Sequence, residues 1–136
     1  MSLTTFDSRQ LESFTRAFEE LFNEGDPASM TSYYTEDAQL MAEGMEPIRG
    51  RPAIDEFWRA AISRAAAARA RRTIRLHESS SSADLGYALC TVTVEIPAGP
   101  GAAGASISVW DATIWRRDQN GHWRIAVDIS TPLPGH

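Results

Sequence analysis

The spacing of apolar residues changes near the middle of the chain. Before Arg72, residues such as Phe14 and Phe18 recur at intervals of three and four, which is typical of a helix with one apolar face. After Arg72, residues such as Cys90 and Val92 alternate with their neighbours, which is typical of a strand. A helical half followed by a strand-rich half predicts an α+β fold, with the helices packed on one face of an antiparallel sheet.

Three helices are predicted in the first half. Asp7 and Asp26 stand where helix N-caps are expected, Pro27 and Pro52 fit a first turn, and Gly25 fits a C-terminal end. The helices are therefore expected over residues 7–24, from residue 27 onward, and over residues 52–70.

Five strands are predicted. A short strand covers residues 38–42 and is followed by a loop or hairpin over residues 43–50. Four longer strands cover residues 73–79, 85–96, 105–117 and 121–130, with turns at residues 79–82, 97–104 and 118–121. The whole chain, residues 1–136, is short enough to be one domain.

Composition disfavours several classes of function. The 13 basic residues are all arginine, and 18 acidic residues give a net charge of −5, which argues against nucleic-acid and membrane-surface partners. The single cysteine and the histidines at positions 77, 122 and 136 have no metal-ligand spacing, so neither a metal nor another cofactor is expected. The N-terminal residues have no signal-peptide pattern, no run approaches 18 apolar residues, and one cysteine suits a reducing compartment. A cytoplasmic location is therefore expected.

Two further motifs are interpreted as structural. Residues 99–104 match G-x-G-x-x-G, but a strand rather than a helix is predicted next, so they are expected to form a loop. An arginine run spans the C-terminal end of the third helix and the residues just after it: Arg64, Arg69, Arg71, Arg72 and Arg75. It is interpreted as a solvated surface that complements the helix dipole, with phosphate binding as the alternative.

Three segments carry a family resemblance. Residues 33–40 read YYTEDAQL, residues 48–58 read IRGRPAIDEFW, and residues 115–128 read WRRDQNGHWRIAVD. They resemble the nuclear-transport-factor-2-like superfamily, and the last is similar to its ketosteroid-isomerase-related, SnoaL-like branch. The resemblance implies a cone, in which a curved sheet wraps a long helix and leaves an apolar pocket, and usually a dimer. The superfamily includes isomerases, cyclases, dehydratases, epoxide hydrolases and non-catalytic binders, so function must be argued from the site.

The resemblance also shows where this sequence departs from ketosteroid isomerases. Their oxyanion-hole tyrosine on the first helix and their general-base aspartate after the first strand align with Phe18 and Ala42. Neither residue can donate a hydrogen bond to an enolate or accept a proton. No steroid isomerase activity is expected from these positions.

Asp128 and Asp111 are the candidate catalytic residues. By alternation, Asp128 shares a strand face with Ser130, and the resemblance implies that this face lines the pocket. Asp111 shares a face of the preceding strand with Thr113. Two such carboxyl groups could form an acid/base pair, as in epoxide hydrolases of this superfamily, which have an arginine between them. The structural alternatives are an ion pair or a helix contact for Asp128, and exposure at the pocket rim for Asp111.

Eight further residues are candidates for binding a substrate. For Tyr34 and Trp58 a core role is the alternative, and Cys90 is expected to be buried and inert. His77 lies on the opposite strand face from Ile74 and Leu76, so it is expected outside the pocket. The eight are Phe14, Phe18, Tyr34, Met41, Trp58, Cys90, Thr113 and Ser130.

Two functions therefore remain open. The first is cofactor-independent acid/base chemistry of isomerase, cyclase or hydrolase type on a small apolar molecule. The second is a non-catalytic ligand-binding or dimeric association domain. A homodimer is expected because one strand face would leave a large apolar patch in water, which two copies could bury together. That face carries Trp110, Ile114, Trp123, Ile125, Val127 and Ile129, unless the two faces are reversed.

Overall fold

In the computed structural model, which describes residues 5–133, three helices pack against a curved six-stranded sheet. The mixed α+β class predicted from the sequence is confirmed. His136 lies outside the described residues. No helix within residues 5–133 is long and apolar enough to span a lipid bilayer. The elements are α1 (Ser8–Glu24), α2 (Pro27–Thr31), β1 (Tyr34–Met41), β2 (Ile48–Arg49), α3 (Arg51–Ala68), β3 (Arg71–Ser82), β4 (Leu85–Ile96), β5 (Ala105–Arg117) and β6 (Trp123–Pro132).

The helix ends follow the predicted capping residues. The Asp7 carboxylate accepts a hydrogen bond of 2.8 Å from the Gln10 backbone N–H, and Gly25 ends α1 in the left-handed region at φ 84°. Helix α3 ends at Ala68, two residues before the predicted end, because Arg69 adopts φ 56°. This early end allows β3 to begin at Arg71.

The strand order is β2-β1-β6-β5-β4-β3. Strands β3 to β6 form the predicted antiparallel meander, and β2 pairs with β1 as a hairpin within the predicted loop. The sheet departs from the antiparallel expectation at one pair, because β1 runs parallel to β6. Parallel pairing needs a long connection, which the intervening helix and meander provide. Strand β1 also starts earlier than predicted, at Tyr34.

The serine-rich segment predicted as a turn belongs to β3. Ser79 pairs with Ala88 and Ser82 with Leu85, so the turn contains only Ala83 and Asp84, with Ala83 at φ 55°. The prediction failed because serine is common in turns. Here the serines stand on an edge strand with largely exposed side chains, where polar residues are tolerated.

A β-bulge in β6 reverses part of the predicted strand faces. Ile114 pairs with Val127, but the next residue of β5, Trp115, pairs with Ile125, so Ala126 is an extra residue in β6. One extra residue exchanges the two faces of a strand. Trp123 and Ile125 are therefore core residues, 3% and 1% exposed, and their predicted place on the outer face is wrong.

Helix α1 covers the free edge of the sheet where β3 begins. The Asn23 side chain donates to the backbone carbonyl of Arg72 and accepts from its N–H, at 3.0 and 2.9 Å. The Glu19 carboxylate accepts a hydrogen bond of 2.8 Å from the Ile74 N–H. These bonds hold β3 against α1 and fix the position of Arg72 at the inner face of the sheet.

Candidate active site

Two adjacent cavities lie between the helices and the inner face of the sheet. The outer cavity has a volume of about 420 Å³, and its walls include apolar side chains of α3, β4 and β5. The inner cavity has a volume of about 30 Å³, which is room for a water molecule. Both are lined by Arg72, Val92, Asp111 and Asp128, so three ionisable side chains lie at the junction of the cavities.

Asp128 is held by a tyrosine from the other end of the chain. The Tyr34 hydroxyl donates a hydrogen bond of 2.7 Å to Oδ2 of Asp128, and both residues are buried. Burial, followed by the negative charge of Asp128, raises the pKa of Tyr34 well above its usual value. The partner of Asp128 is therefore neither an arginine nor the first helix, which were the structural alternatives considered from the sequence.

Asp111 lies diagonally across from Asp128. Asp111 pairs with Ser130 and Thr113 pairs with Asp128, so the two acids are two positions apart on neighbouring strands. Burial, the charge of Asp128 and a hydrogen bond with that carboxyl group raise the pKa of Asp111 well above its usual value, and Arg72 opposes this shift. Asp111 is thus a proton donor at a pH where an exposed aspartate has lost its proton.

Arg72 supplies a positive charge beside the two acids. Its guanidinium carbon lies 4.8 Å from the Phe22 ring centroid and 5.0 Å from that of Trp58. Burial lowers the pKa of Arg72, while the charges of Asp111 and Asp128 raise it. The sequence-based interpretation of Arg72 as part of a solvated arginine surface is wrong.

Strand alternation could have identified Arg72. It is two and four positions from Ile74 and Leu76, and all three residues line the inner cavity. The predicted strand began at residue 73, so the alternation was not extended back to Arg72. Its arginine neighbours, Arg71 and Arg75, are exposed.

The structure distributes the predicted substrate-binding residues between the two cavities. Met41, Trp58 and Ser130 line the outer cavity. Phe14, Phe18, Cys90 and Thr113 line the inner cavity, whereas Tyr34 lines neither cavity and reaches the site through its hydrogen bond to Asp128.

Two of these residues have little capacity for chemistry. The Thr113 hydroxyl accepts a hydrogen bond of 2.8 Å from the Trp115 indole N–H, which commits it to the core. Burial raises the pKa of the Cys90 thiol to about 12, so the thiol is a poor nucleophile at neutral pH.

The remaining titratable candidates lie elsewhere. His77 is exposed and contacts the Thr91 hydroxyl at 2.9 Å. Its ring lies 5.3 Å from that of Trp110 in a tilted contact, and it lines neither cavity, in agreement with its predicted face. Within residues 5–133, no three His, Cys, Asp or Glu side chains are grouped so that they could hold a metal ion.

A family model described as a SnoaL-like domain matches residues 14–126. The chain belongs to this SnoaL-like family. The match runs from within α1 to the bulge in β6, and so includes α2, α3, Arg72 and Asp111. Asp128 lies two residues beyond its end. No curated protein is similar enough to match the chain.

Solved structures share the fold of this SnoaL-like chain. An NTF2-like protein with a cystatin-like fold from Novosphingobium aromaticivorans has 17% identity and a TM-score of 0.75, with 97% of this chain and 94% of that one covered. A ketosteroid isomerase-like protein from Erwinia carotovora atroseptica has 18% identity and a TM-score of 0.71, with coverage of 90% and 92%. A candidate calcium/calmodulin-dependent protein kinase type II association domain from Thiobacillus denitrificans has 22% identity and a TM-score of 0.70, with coverage of 93% and 94%. At these identities the likeness shows the fold alone.

Proposed function

We propose that the outer cavity binds a small, mainly apolar molecule and that Asp111 and Asp128 perform cofactor-independent acid/base chemistry on it. The observation that carries this proposal is the raised pKa of Asp111 beside the charge of Asp128. Two interacting carboxyl groups resist losing both protons, so one can donate a proton while the other accepts one. Pairs of this kind are common in active sites.

The roles follow from the surroundings of each acid. Asp128 accepts a proton from a carbon or from a water molecule, and its hydrogen bond from Tyr34 keeps the carboxylate oriented. Asp111 gives its proton to an oxygen of the substrate. The proton on Asp128 then returns to the product or passes to Asp111, so the pair ends in its starting state. Isomerisation, cyclisation and hydrolysis can all proceed by these transfers.

The apolar wall supports a hydrophobic substrate. The outer cavity is lined by Phe22, Phe57, Val94, Ile96, Ile107 and Val109, and its volume lies within the range of small-molecule sites. A water-excluding wall also strengthens electrostatic interactions at the acids. Non-catalytic binding is the second candidate, because Phe18 and Ala42 replace the two groups on which ketosteroid isomerases depend.

Binding and turnover can be tested separately. A panel of apolar ketones, epoxides and lactones is screened for binding by native mass spectrometry, and each binder is incubated in D₂O and followed by NMR. We expect deuterium incorporation or a new product with the wild type. Asp111→Asn and Asp128→Asn should bind the same compounds and lower the rate by at least about a hundredfold, the scale of general acid/base catalysis. The exposed carboxylate variant Glu95→Gln should leave the rate unchanged.

The same experiment separates the two candidate functions. Binding without turnover in the wild type would support the non-catalytic function. If the Asp111 and Asp128 variants turned a substrate over at the wild-type rate, the proposed roles of the pair would be wrong.

We further propose that a second copy of the chain covers the outer face of the sheet. Tyr87, Ile114 and Val127 form a row across β4, β5 and β6, and Tyr87 and Ile114 are 42% and 37% exposed. Ile129, 39% exposed, extends this row. A self-complementary contact between two such faces would bury these side chains. The bulge in β6 removes Trp123 and Ile125 from the interface predicted from the sequence, but leaves the rest of it.

A further inference from the structure

Two buried N–H donors at the site lack a well-placed acceptor. Among the described residues, no acceptor meets hydrogen-bond geometry for the Trp58 indole N–H or the Arg72 Nε–H, although both atoms are buried. The Trp58 N–H opposes the rise in the pKa of Tyr34, so the Tyr34 hydroxyl lies near it without satisfying it. Both residues line the outer cavity, and the Arg72 guanidinium lies over the Trp58 ring at 5.0 Å. Buried donors without an acceptor are costly and rare, so this pair needs an explanation.

The neighbouring polar groups are already engaged with one another. The Asp111 and Asp128 carboxyl groups are hydrogen-bonded to each other at the junction of the cavities. Oδ2 of Asp128 already accepts from Tyr34, and the Thr113 hydroxyl already accepts from Trp115. The site is thus rich in donors, and the complementary ligand group is a hydrogen-bond acceptor.

The charges around the site decide which acceptor fits. Asp111 and Asp128 lie beside Arg72 at the junction of the two cavities, whereas the exposed Arg64 lines only the outer cavity. A carboxylate held between the Trp58 and Arg72 donors would lie beside the Asp111 and Asp128 carboxyl groups, and like charges repel strongly in a low-dielectric environment. An uncharged carbonyl or ether oxygen would satisfy the donors without that penalty.

We propose that Trp58 and Arg72 form a subsite for the acceptor oxygen of an uncharged, mainly apolar ligand in the outer cavity. The proposal rests on the proposed function and specifies its substrate class: a ketone, lactone or cyclic ether rather than a carboxylic acid or a hydrocarbon. An oxygen held between these donors lies near Asp111. The donors would therefore stabilise negative charge that develops on the oxygen during proton transfer.

Three probes with one apolar body test this subsite. 2-Acetylnaphthalene carries a ketone, 2-ethylnaphthalene carries no acceptor, and 2-naphthoate carries a carboxylate. Calorimetry with the wild-type chain should show the ketone binding about tenfold more tightly than the hydrocarbon, the effect of one or two hydrogen bonds. The carboxylate should bind most weakly of the three.

The variants then assign the preference to the two donors. Trp58→Phe keeps an aromatic ring and removes the N–H, so it should weaken ketone binding about fivefold and leave hydrocarbon binding nearly unchanged. Arg72→Lys keeps the charge but removes the Nε–H, and it should also reduce the preference for the ketone. Phe57→Leu reshapes the apolar wall and should change the binding of ketone and hydrocarbon by similar factors.

The possible failures point to different errors. If ketone and hydrocarbon bind equally to the wild type, or if Trp58→Phe leaves their ratio unchanged, the acceptor subsite is wrong while the ligand cavity stands. Tightest binding of 2-naphthoate would overturn the choice of an uncharged ligand. If none of the three probes binds, the proposed ligand cavity is wrong, and the subsite falls with it.

Discussion

The Tyr34 hydroxyl and the Asp128 carboxylate join the first and last strands of the sheet through a buried hydrogen bond of 2.7 Å. The two residues are far apart in the chain, and they meet because β1 runs parallel to β6. Tyr34 is fully buried and lines neither cavity, so its contribution to the site is to fix the orientation of Asp128.

Tyr34→Phe should destabilise the chain without changing its shape. It removes a buried donor to a charged acceptor and leaves the ring in place, so we expect a loss of about 1.5–3 kcal/mol in the free energy of unfolding. Urea denaturation followed by circular dichroism measures this. Tyr33→Phe is the matched control, because Tyr33 packs against Phe14 and Phe18 in the same core but its hydroxyl is not bonded to Asp128. Equal effects of the two substitutions would contradict the assigned role of Tyr34.

The titration of Asp111 predicts a distinctive dependence of stability on pH. Its pKa is raised in the folded state, so the folded chain holds a proton that the unfolded chain releases once the pH exceeds the usual value of 3.8. This stabilisation is complete below that pH, and it is lost as the pH rises toward the folded-state pKa. The slope is at most about 1.4 kcal/mol per pH unit.

Asp111→Asn should remove this slope. The measured quantity is the difference in the free energy of unfolding between the wild type and the variant. This difference, wild type minus variant, should fall as the pH rises above about 4. Asp118 provides a control of opposite sign, because the His122 backbone N–H lowers its pKa and its contribution is lost as the pH falls. A difference between wild type and Asp111→Asn that does not vary with pH would show that Asp111 titrates normally.

Local patterns predicted most of the fold. The caps Asp7 and Asp26, the end of α1 at Gly25 and the meander from β3 to β6 all follow from short-range chemistry. The bulge at Ala126 could not be predicted in this way, because it depends on how β5 and β6 pair rather than on the alternation within either strand. A single extra residue thus moved Trp123 to the core.

The candidate site was only partly predictable, for a related reason. Alternation placed Asp111 and Asp128 on the faces that line the cavities, where the structure has them. Their connections to Tyr34 and Arg72 depend on the parallel pair β1–β6 and on the contact of Asn23 with β3. Such contacts between distant segments leave no periodic signal in the sequence.

The proposed dimer predicts the effect of a charge on the outer face. Light scattering of the wild type should give twice the 15.0 kDa mass of the chain. Ile114→Glu should give a monomer, because it would bury a carboxylate opposite another apolar face. Met45→Glu is the control: Met45 is similarly exposed, at 40%, but lies outside the sheet strands. A monomeric wild type at micromolar concentration would rule out the proposed interface.

The size of the outer cavity depends on the small side chains of α3. Ala65 is half-buried and lines the cavity, so Ala65→Leu would place three additional carbon atoms in empty space. Burying them should raise the free energy of unfolding by about 1–2 kcal/mol, since each buried methylene contributes about 0.8 kcal/mol. Binding of 2-acetylnaphthalene should weaken by at least about tenfold, because the leucine occupies part of the ligand volume.

Ala67→Leu separates this effect from helix propensity. Ala67 lies on the same helix and is exposed. Its replacement by leucine should therefore have only a small effect on the free energy of unfolding and on ligand affinity. A stabilised Ala65→Leu chain that no longer binds would show that stability has been given up to keep the cavity open, as is common at functional sites. If Ala65→Leu bound the ketone as tightly as the wild type, the ligand would have to bind elsewhere, and the outer cavity would lose its proposed role.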